Sequence, residues 1–260
     1  VSEAPHRARR RFGQHFLHDS AVIDRIVRAA ALKQGDAAVE IGPGLGALTG
    51  ALLAAAGRLD VIELDRDLVK KLQSRFDPEA VRVHQADALR FDFVGLSEER
   101  GPLRIVGNLP YNISTPMLFH LLNAGSAIRD MHLMLQKEVV ARMAASPGGR
   151  DYGRLSVMVQ FRCQVDVLFN VGPGAFRPPP KVHSAVVRLV PRKAPAVPVS
   201  DPRALEQVVS LAFGMRRKTL RNSLKPVLSG AEIEAAGVDP GARPETLDLA
   251  AFAALANRAK

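Results

Sequence analysis

The chain has one cysteine, Cys163, in 260 residues. An internal disulfide is therefore excluded, the sequence fits a reducing compartment, and Cys163 itself reads as a small buried hydrophobe. No run of about 18 uncharged apolar residues occurs, which removes the helix needed to cross a membrane. No apolar stretch follows Arg7, Arg9, Arg10 and Arg11, so a secretory signal is not expected, and the segment is short for an organellar transit peptide. These absences predict a cytoplasmic protein. There is no internal repeat and no low-complexity tract, which excludes a repeat array. Acids are also in short supply: 26 Asp and Glu face 36 Lys and Arg, for a net charge of +10. Such a surplus points to a polyanionic partner.

What is present is ordinary for a globular protein, with 47% apolar and 24% charged residues. The length suffices for one sizeable core plus a small appended domain. The basic residues are clustered, first at Arg7 to Arg11, then at Arg216, Arg217, Lys218, Arg221 and Lys225, with no acid between Arg216 and Lys225. Two such clusters favour nucleic acid over membrane. The second is expected on a helix, and Pro226 closes it, which spoils a lipid-binding amphipathic face. Taken alone, a charge run of this kind is as readily a solvated face.

Asp19 or Ser20 can cap a helix whose apolar face is Val22, Ile23, Ile26 and Val27. A strand over 37–41 breaks into a glycine turn, a helix follows over 47–56, and a strand follows over 59–64. That is a βαβ unit of a parallel sheet. Further strands are expected over 81–83, 103–106 and 131–135, with a helix from about Lys137. The runs 155–164 and 184–190 read as β-rich without an intervening helix, an antiparallel edge. Pro191, Pro195, Pro198 and Pro202 mark a linker, after which 203–260 is helical in pattern. The expected organisation is an α/β catalytic domain over 1–190, a linker over 191–202 and a helical domain over 203–260.

The first chemical motif is 40–46, EIGPGLG. After a strand, glycines allow a sharp turn and a close approach of backbone to ligand, so Gly42 and Gly44 are candidate cofactor contacts. Glu63 ends the next strand, 21 residues after Gly42, near the spacing at which an acid accepts from ribose hydroxyls. Asp87 follows the strand after that, where a carboxylate can accept from an adenine amino group. Alone, the turn could be structural and Asp87 a helix cap. Their recurrence in successive βα loops, with Glu40 before a G-x-G-x-G rather than a G-x-G-x-x-G turn, points to S-adenosylmethionine over a dinucleotide.

The second motif is 107–111, GNLPY, after the strand over 103–106. An adenine amine is a poor nucleophile because its lone pair is delocalised. Two acceptors aimed at its hydrogens favour the pyramidal transition state; the Asn108 side-chain oxygen and the carbonyl of Leu109 or Pro110 would serve. Pro110 stiffens the loop, and Tyr111 can stack on an extruded base. A sulfonium methyl is already activated, so no metal and no strong base is required. Alone, the tetrapeptide could be a turn with a packed tyrosine.

The segments 11–17 RFGQHFL, 40–45 EIGPGL, 61–65 VIELD, 107–114 GNLPYNIS, 135–139 LQKEV, 152–156 YGRLS, 176–182 FRPPPKV and 216–224 RRKTLRNSL resemble the KsgA/RsmA family of ribosomal RNA adenine N6,N6-dimethyltransferases. The resemblance runs from residue 9 to about 250. It implies a class I S-adenosylmethionine-dependent methyltransferase fold, Rossmann-like with a mostly parallel seven-stranded sheet, and a small all-helical C-terminal domain. It implies dimethylation of two adjacent adenosines in the 3′-terminal hairpin (helix 45) of 16S rRNA, within the 30S subunit or its precursor, by a monomeric enzyme with a role in subunit biogenesis. Cofactor contacts would fall on His15, Leu17, Gly42, Gly44, Glu63, Asp87 and Asn108. Phe176, otherwise a core phenylalanine, would sandwich the target base with Tyr111. Arg10, Arg11, Lys181, Arg216, Arg217, Lys218 and Arg221 would contact RNA, giving steep salt dependence. The chain departs from the family pattern at His15, where asparagine is usual; a contact through the backbone survives that change and one through a side-chain amide does not. The competing readings are a non-catalytic assembly factor, a resistance enzyme acting on large-subunit rRNA, and an NAD oxidoreductase. The last lacks a hydride-transfer residue, and the 216–224 segment opposes the second.

Overall fold

The computed structural model describes residues 15–215 and 218–259. Arg10, Arg11, Arg216 and Arg217, four of the expected RNA contacts, lie outside these residues. Contacts divide the chain into two units, Val1–Val140 with Asp166–Pro191, and Ala141–Val165 with Arg192–Lys260.

The first unit opens on β1 (Phe16–Leu17) and α1 (Ser20–Ala30). Asp19 caps α1 by accepting from the N–H groups of Ala21 and Val22 at 2.9 and 3.2 Å, and Val22, Ile26 and Ala30 are buried at helical spacing. Burying a Val or Ile side chain contributes about 1.5–3 kcal/mol each. The parallel part follows: β2 (Ala38–Ile41), α2 (Thr49–Ala56), β3 (Leu59–Glu63), α3 (Arg66–Arg75), β4 (Val81–Gln85), α4 (Phe93–Arg100), β5 (Leu103–Asn108), α5 (Ser114–Asn123) and β6 (Ile128–Gln136), from which α6 (Lys137–Ala144) leaves. Every residue of β2 and β3 is buried, as both faces of a parallel sheet must be. The seven-stranded sheet has the order β4-β3-β2-β5-β6-β9-β7, with β7 (Cys163–Val171) and β9 (Ser184–Pro191) completing it. Registers are parallel from β4 to β6 and antiparallel between β6 and β9, where Met134 faces Val186. The antiparallel edge expected over 184–190 is therefore present. A separate ribbon pairs β1 with β8 (Phe176–Arg177). This is the class I methyltransferase fold. The strand order reverses between β2 and β5, so the crevice beyond their C-terminal ends is where ligands of such sheets bind.

Gly107 lets β2 and β5 meet. A Cβ there would sit 2.8 Å from the Ile41 carbonyl oxygen, closer than van der Waals contact allows. At the far end of the sheet Arg104 is almost completely enclosed, and every N–H of its guanidinium has a partner. Nε and Nη2 donate to Asp130 at 3.1 and 2.9 Å, Nη1 to Asp36 at 2.7 Å and Ala31 O at 3.1 Å, and Nη2 also to Ala30 O at 2.6 Å. One side chain thus joins β5 to β6, holds the 31–37 turn and satisfies the last carbonyls of α1.

One expectation needs correction. The run 155–164 is not a strand pair: α7 (Arg154–Arg162) occupies nearly all of it, and only Cys163 and Gln164 are extended, at the start of β7. Its residues Val157, Met158, Val159 and Phe161 are all buried. A short continuous apolar run carries no period that tells a buried helix from a buried strand. Ser156 fixes the helical start, accepting from the Gly153 N–H at 3.0 Å.

Within the second unit, α7 is joined by α8 (Pro202–Gly214), α9 (Leu220–Ser223), α10 (Gly230–Ala235) and α11 (Leu249–Ala256). Asp201 and Asp248 cap α8 and α11. The aromatic chain Tyr152, Phe213, Phe252 forms part of the core, with ring centroids 6.2 and 5.6 Å apart. The described residues of the second basic cluster are not on one helix, which corrects the sequence reading for them. Lys218 precedes α9, Lys225 follows it, and only Arg221 lies on its single turn. Among the described residues, no helix is long and apolar enough to cross a membrane.

Candidate active site

A cavity of about 300 Å³ opens at the C-terminal ends of β2, β3, β4 and β5, entirely within the first unit. The structure brings together there His15, Leu17, Gly42, Gly44, Glu63, Asp87, Asn108, Leu109, Pro110 and Tyr111.

Its acid side is built from strand ends. Glu63, the last residue of β3, is 8% exposed. Its carboxylate accepts from the Asp65 N–H at 2.9 Å and the Gly44 N–H at 3.3 Å, tying β3 to the glycine turn. Burial raises its pKa above the usual carboxylate range against the pull of those bonds. Asp87 follows β4 and does cap a short turn, accepting from the Leu89 N–H at 3.0 Å through Oδ1. The cap uses one oxygen of a carboxylate that also lines the cavity, so the capping and binding roles coexist. Gly44 has φ +58°, and a Cβ there would lie 2.9 Å from the Phe16 ring, so the turn and β1 pack as closely as glycine permits.

Glu40 lies beneath the turn. It is fully enclosed, accepts from the Thr49 hydroxyl at 2.6 Å, and has its pKa pushed up to about 8, by desolvation first and by the Glu63 charge as well. Its folded pKa is raised above the unfolded one. The stability it contributes is therefore complete below about pH 4.5 and is lost as pH rises through about 8. Glu40→Gln keeps the acceptor for Thr49 and removes the titration. The variant is expected to unfold at higher denaturant than the wild type at pH 8, with the gap closing towards pH 5. Equal midpoints at pH 8 would show that Glu40 is not held protonated.

The second wall is the loop after β5. The Asn108 side-chain amide donates through Nδ2 to the His15 backbone carbonyl at 3.1 Å. A carbonyl can only accept, so this contact assigns the amide orientation and leaves Oδ1 as the acceptor for a ligand. The Pro110 carbonyl already accepts from the Ile113 N–H and the Ser114 hydroxyl, both at 3.1 Å. Of the two backbone candidates, Leu109 is thus the one with acceptor capacity. Tyr111 is half-buried, its hydroxyl held by Ser184 Oγ at 2.7 Å.

Phe176 is not brought to the cavity. It is 2% exposed, within the core cluster of the first unit, on the strand paired with Leu17. As placed, it is a core phenylalanine and offers no open face to a base. Lys181, Lys218 and Arg221 are exposed; Arg221 stands 3.9 Å from Glu234, both well solvated, a pair of little energetic weight.

Sequence reasoning missed Leu45 and Leu64, which line the cavity while remaining 40% and 49% exposed. Their signal was position, each directly following a singled-out cofactor residue. Apolar flanks beside carboxylates at two strand ends suit a flat purine joined to a ribose, so the donor set and shape fit an adenosyl group.

The model of the family described as "Ribosomal RNA adenine dimethylase" matches residues 5–260. The chain is 62% identical over 254 residues to Ribosomal RNA small subunit methyltransferase A of Pseudomonas aeruginosa, covering 97% of this chain and 95% of that protein. Among solved structures it is similar to a dimethyladenosine transferase from Plasmodium falciparum, with TM-score 0.75 and 27% identity over 93% of this chain and 96% of that one. It is also similar to the 23S rRNA methyltransferase ErmE, with TM-score 0.72 and 28% identity over 94% and 98%.

Proposed function

The chain belongs to the ribosomal RNA adenine dimethylase family, and from that premise we propose that it dimethylates N6 of two adjacent adenosines in the 3′-terminal hairpin of 16S rRNA. It is an S-adenosylmethionine-dependent rRNA adenine dimethyltransferase. The finer statements, the hairpin target in the 30S subunit or its precursor, a monomeric state and a cytoplasmic location, are our reading. The observation that carries the reading is the Asn108 amide, which donates to the His15 carbonyl and so keeps Oδ1 as an acceptor in a loop that lines the cavity.

Glu63 and Asp87 would hold the ribose and adenine of the methyl donor, with the glycine turn against its backbone-facing side. The donor supplies an electrophilic sulfonium methyl. Tyr111 would stack on the target base and keep water from it. Asn108 Oδ1 and Leu109 O would accept from the two amine hydrogens and draw the nitrogen towards the pyramidal form that attacks. Each transfer would break the S–CH3 bond, form the N6–CH3 bond and leave S-adenosylhomocysteine as a neutral thioether; the acidic N–H⁺ would lose its proton to solvent as the product leaves the site, so no strong base is needed. Lys181 beside the loop would contact phosphate, and Lys218 and Arg221 would do so in the second unit. Arg10, Arg11, Arg216 and Arg217 carry the same proposal outside the described residues. In this reading the second unit, with the linker before α8, serves the ribosome.

The large-subunit alternative is less favoured, because identity to the small-subunit enzyme is 62% against 28% to the 23S enzyme. The test is transfer from labelled S-adenosylmethionine to unmodified small subunits, with the product mapped by mass spectrometry. Dimethyladenosine at two adjacent positions of the 3′-terminal hairpin is expected. Labelling of large-subunit RNA alone would overturn the reading.

A further inference from the structure

The segment 176–183 leads into β9, whose first residue, Ser184, meets the Tyr111 hydroxyl. Phe176 and Arg177 are paired with β1, but Pro178, Pro179 and Pro180 have no backbone N–H, so this run of three cannot anchor itself by donating. Only its carbonyls can be held, and only by donors from elsewhere. One such donor is in place, and another holds the end of the loop. The Lys137 N–H reaches the His183 carbonyl at 2.9 Å. At the other end, His15 Nδ1 lies 2.7 Å from the Pro178 carbonyl oxygen, a partner 163 residues away in the chain. Because a carbonyl accepts only, Nδ1 must carry the hydrogen.

The same residue touches two further parts of the site. Its backbone carbonyl receives the Asn108 amide, and its ring lies 5.7 Å from the Tyr111 ring, tilted by 31°. The Tyr111 hydroxyl in turn meets Ser184, the residue after the clamped loop. His15 therefore touches the acceptor loop, the aromatic platform and the proline loop at once.

We propose that the His15 imidazole, as its Nδ1–H tautomer, is a positioning residue for the target adenine, anchoring the donor-poor proline loop 178–183 against Tyr111. This rests on the reading that Asn108 and Tyr111 receive the base. The ring acts through the loop and the tyrosine and touches no reacting atom. The backbone half of the arrangement tolerates any side chain, whereas the anchor requires a donor at the Nδ1 position. Asparagine has one, since its Nδ2 branches from Cγ as Nδ1 does in histidine. Phenylalanine keeps a ring and lacks the donor.

The experiment compares wild type with His15→Asn and His15→Phe. It measures kcat and KM for small subunits, S-adenosylmethionine affinity by calorimetry, melting temperature, and the 15N shifts of the wild-type His15 ring. His15→Phe is expected to lower kcat by about 10- to 100-fold, the cost of misplacing a reacting group by about 1 Å, with cofactor affinity within about twofold. His15→Asn should recover kcat to within a few-fold of wild type. Wild-type turnover in His15→Phe, a loss confined to cofactor affinity, or equal damage in both variants would overturn the proposal. The ring shifts decide the anchor without any substrate: a protonated Nδ1 with a free Nε2 supports it, and the reverse overturns it. If the wild type methylates no small-subunit RNA, the functional reading fails, while the shifts still test the anchor.

Discussion

Asn108→Ala is expected to lower kcat for methyl transfer by about 10²–10³-fold, the usual cost of deleting one preorganised hydrogen-bonding group from a transition-state site. The side chain has two tasks with different geometry. Nδ2 holds the loop to the His15 carbonyl, and Oδ1 is the acceptor left for the substrate. Alanine removes both. Asn108→Asp separates them, because a carboxylate keeps an acceptor but cannot donate to His15 and meets that carbonyl oxygen as a repulsive neighbour. Both variants should therefore be severely impaired, while cofactor affinity, which we propose rests mostly on Glu63, Asp87 and the glycine turn, should change by no more than about tenfold. Single-turnover transfer with saturating S-adenosylmethionine checks this. A tenfold or smaller loss in Asn108→Ala would mean that the Leu109 carbonyl and stacking suffice, and the two-acceptor mechanism would fall.

The second large effect concerns stability. Arg104→Ala is expected to destabilise the first unit by about 3–5 kcal/mol, the cost of removing one member of a buried, fully hydrogen-bonded ionic group. Asp130, 7% exposed at its side chain, and Asp36, 13% exposed, would be left without their main counter-charge, and the Ala30 and Ala31 carbonyls without a donor. By the ordinary relation between free energy and melting temperature, the midpoint should fall by roughly 10 °C. Arg104→Lys should lie between, since an ammonium keeps the charge but cannot reach both aspartates and both carbonyls in one plane. Calorimetric melting of the three proteins is the measurement; a shift below about 2 °C in Arg104→Ala would show that the ion group contributes specificity rather than stability.

Much of the frame was legible because it depends on local chemistry. Strand ends carry the acids Glu63 and Asp87, glycines mark the sharp turn, and Asp19 caps the first helix it precedes. Each of these is decided within a few residues. The helix over 154–162 was not legible, since apolar residues buried on most sides leave no period. Nor was the choice between Leu109 and Pro110, which depends on what else Pro110 accepts. Phe176 could be read either as platform or core from its motif, and burial against Leu17 places it in the core. The Arg104 group was invisible for another reason: its members come from β5, β6 and a turn, and only the register of the folded sheet makes them neighbours. His15 was singled out by its motif, but its ring's partner is a proline carbonyl that no spacing rule connects to it.

That long reach bears on the order of events during synthesis. A ribosome extends a chain at about 5–20 residues per second, and the β1 side of the cavity, His15 to Leu17, cannot find its partners until Phe176 and Pro178 have been made. The first unit is, moreover, interrupted by Ala141–Val165, which belongs to the second. Until residue 178 is made, the nascent chain can present the strands and the glycine turn but not the paired β1 ribbon. A protein that modifies ribosomes thus secures the β1 side of its own site only late in its stay on the one that makes it.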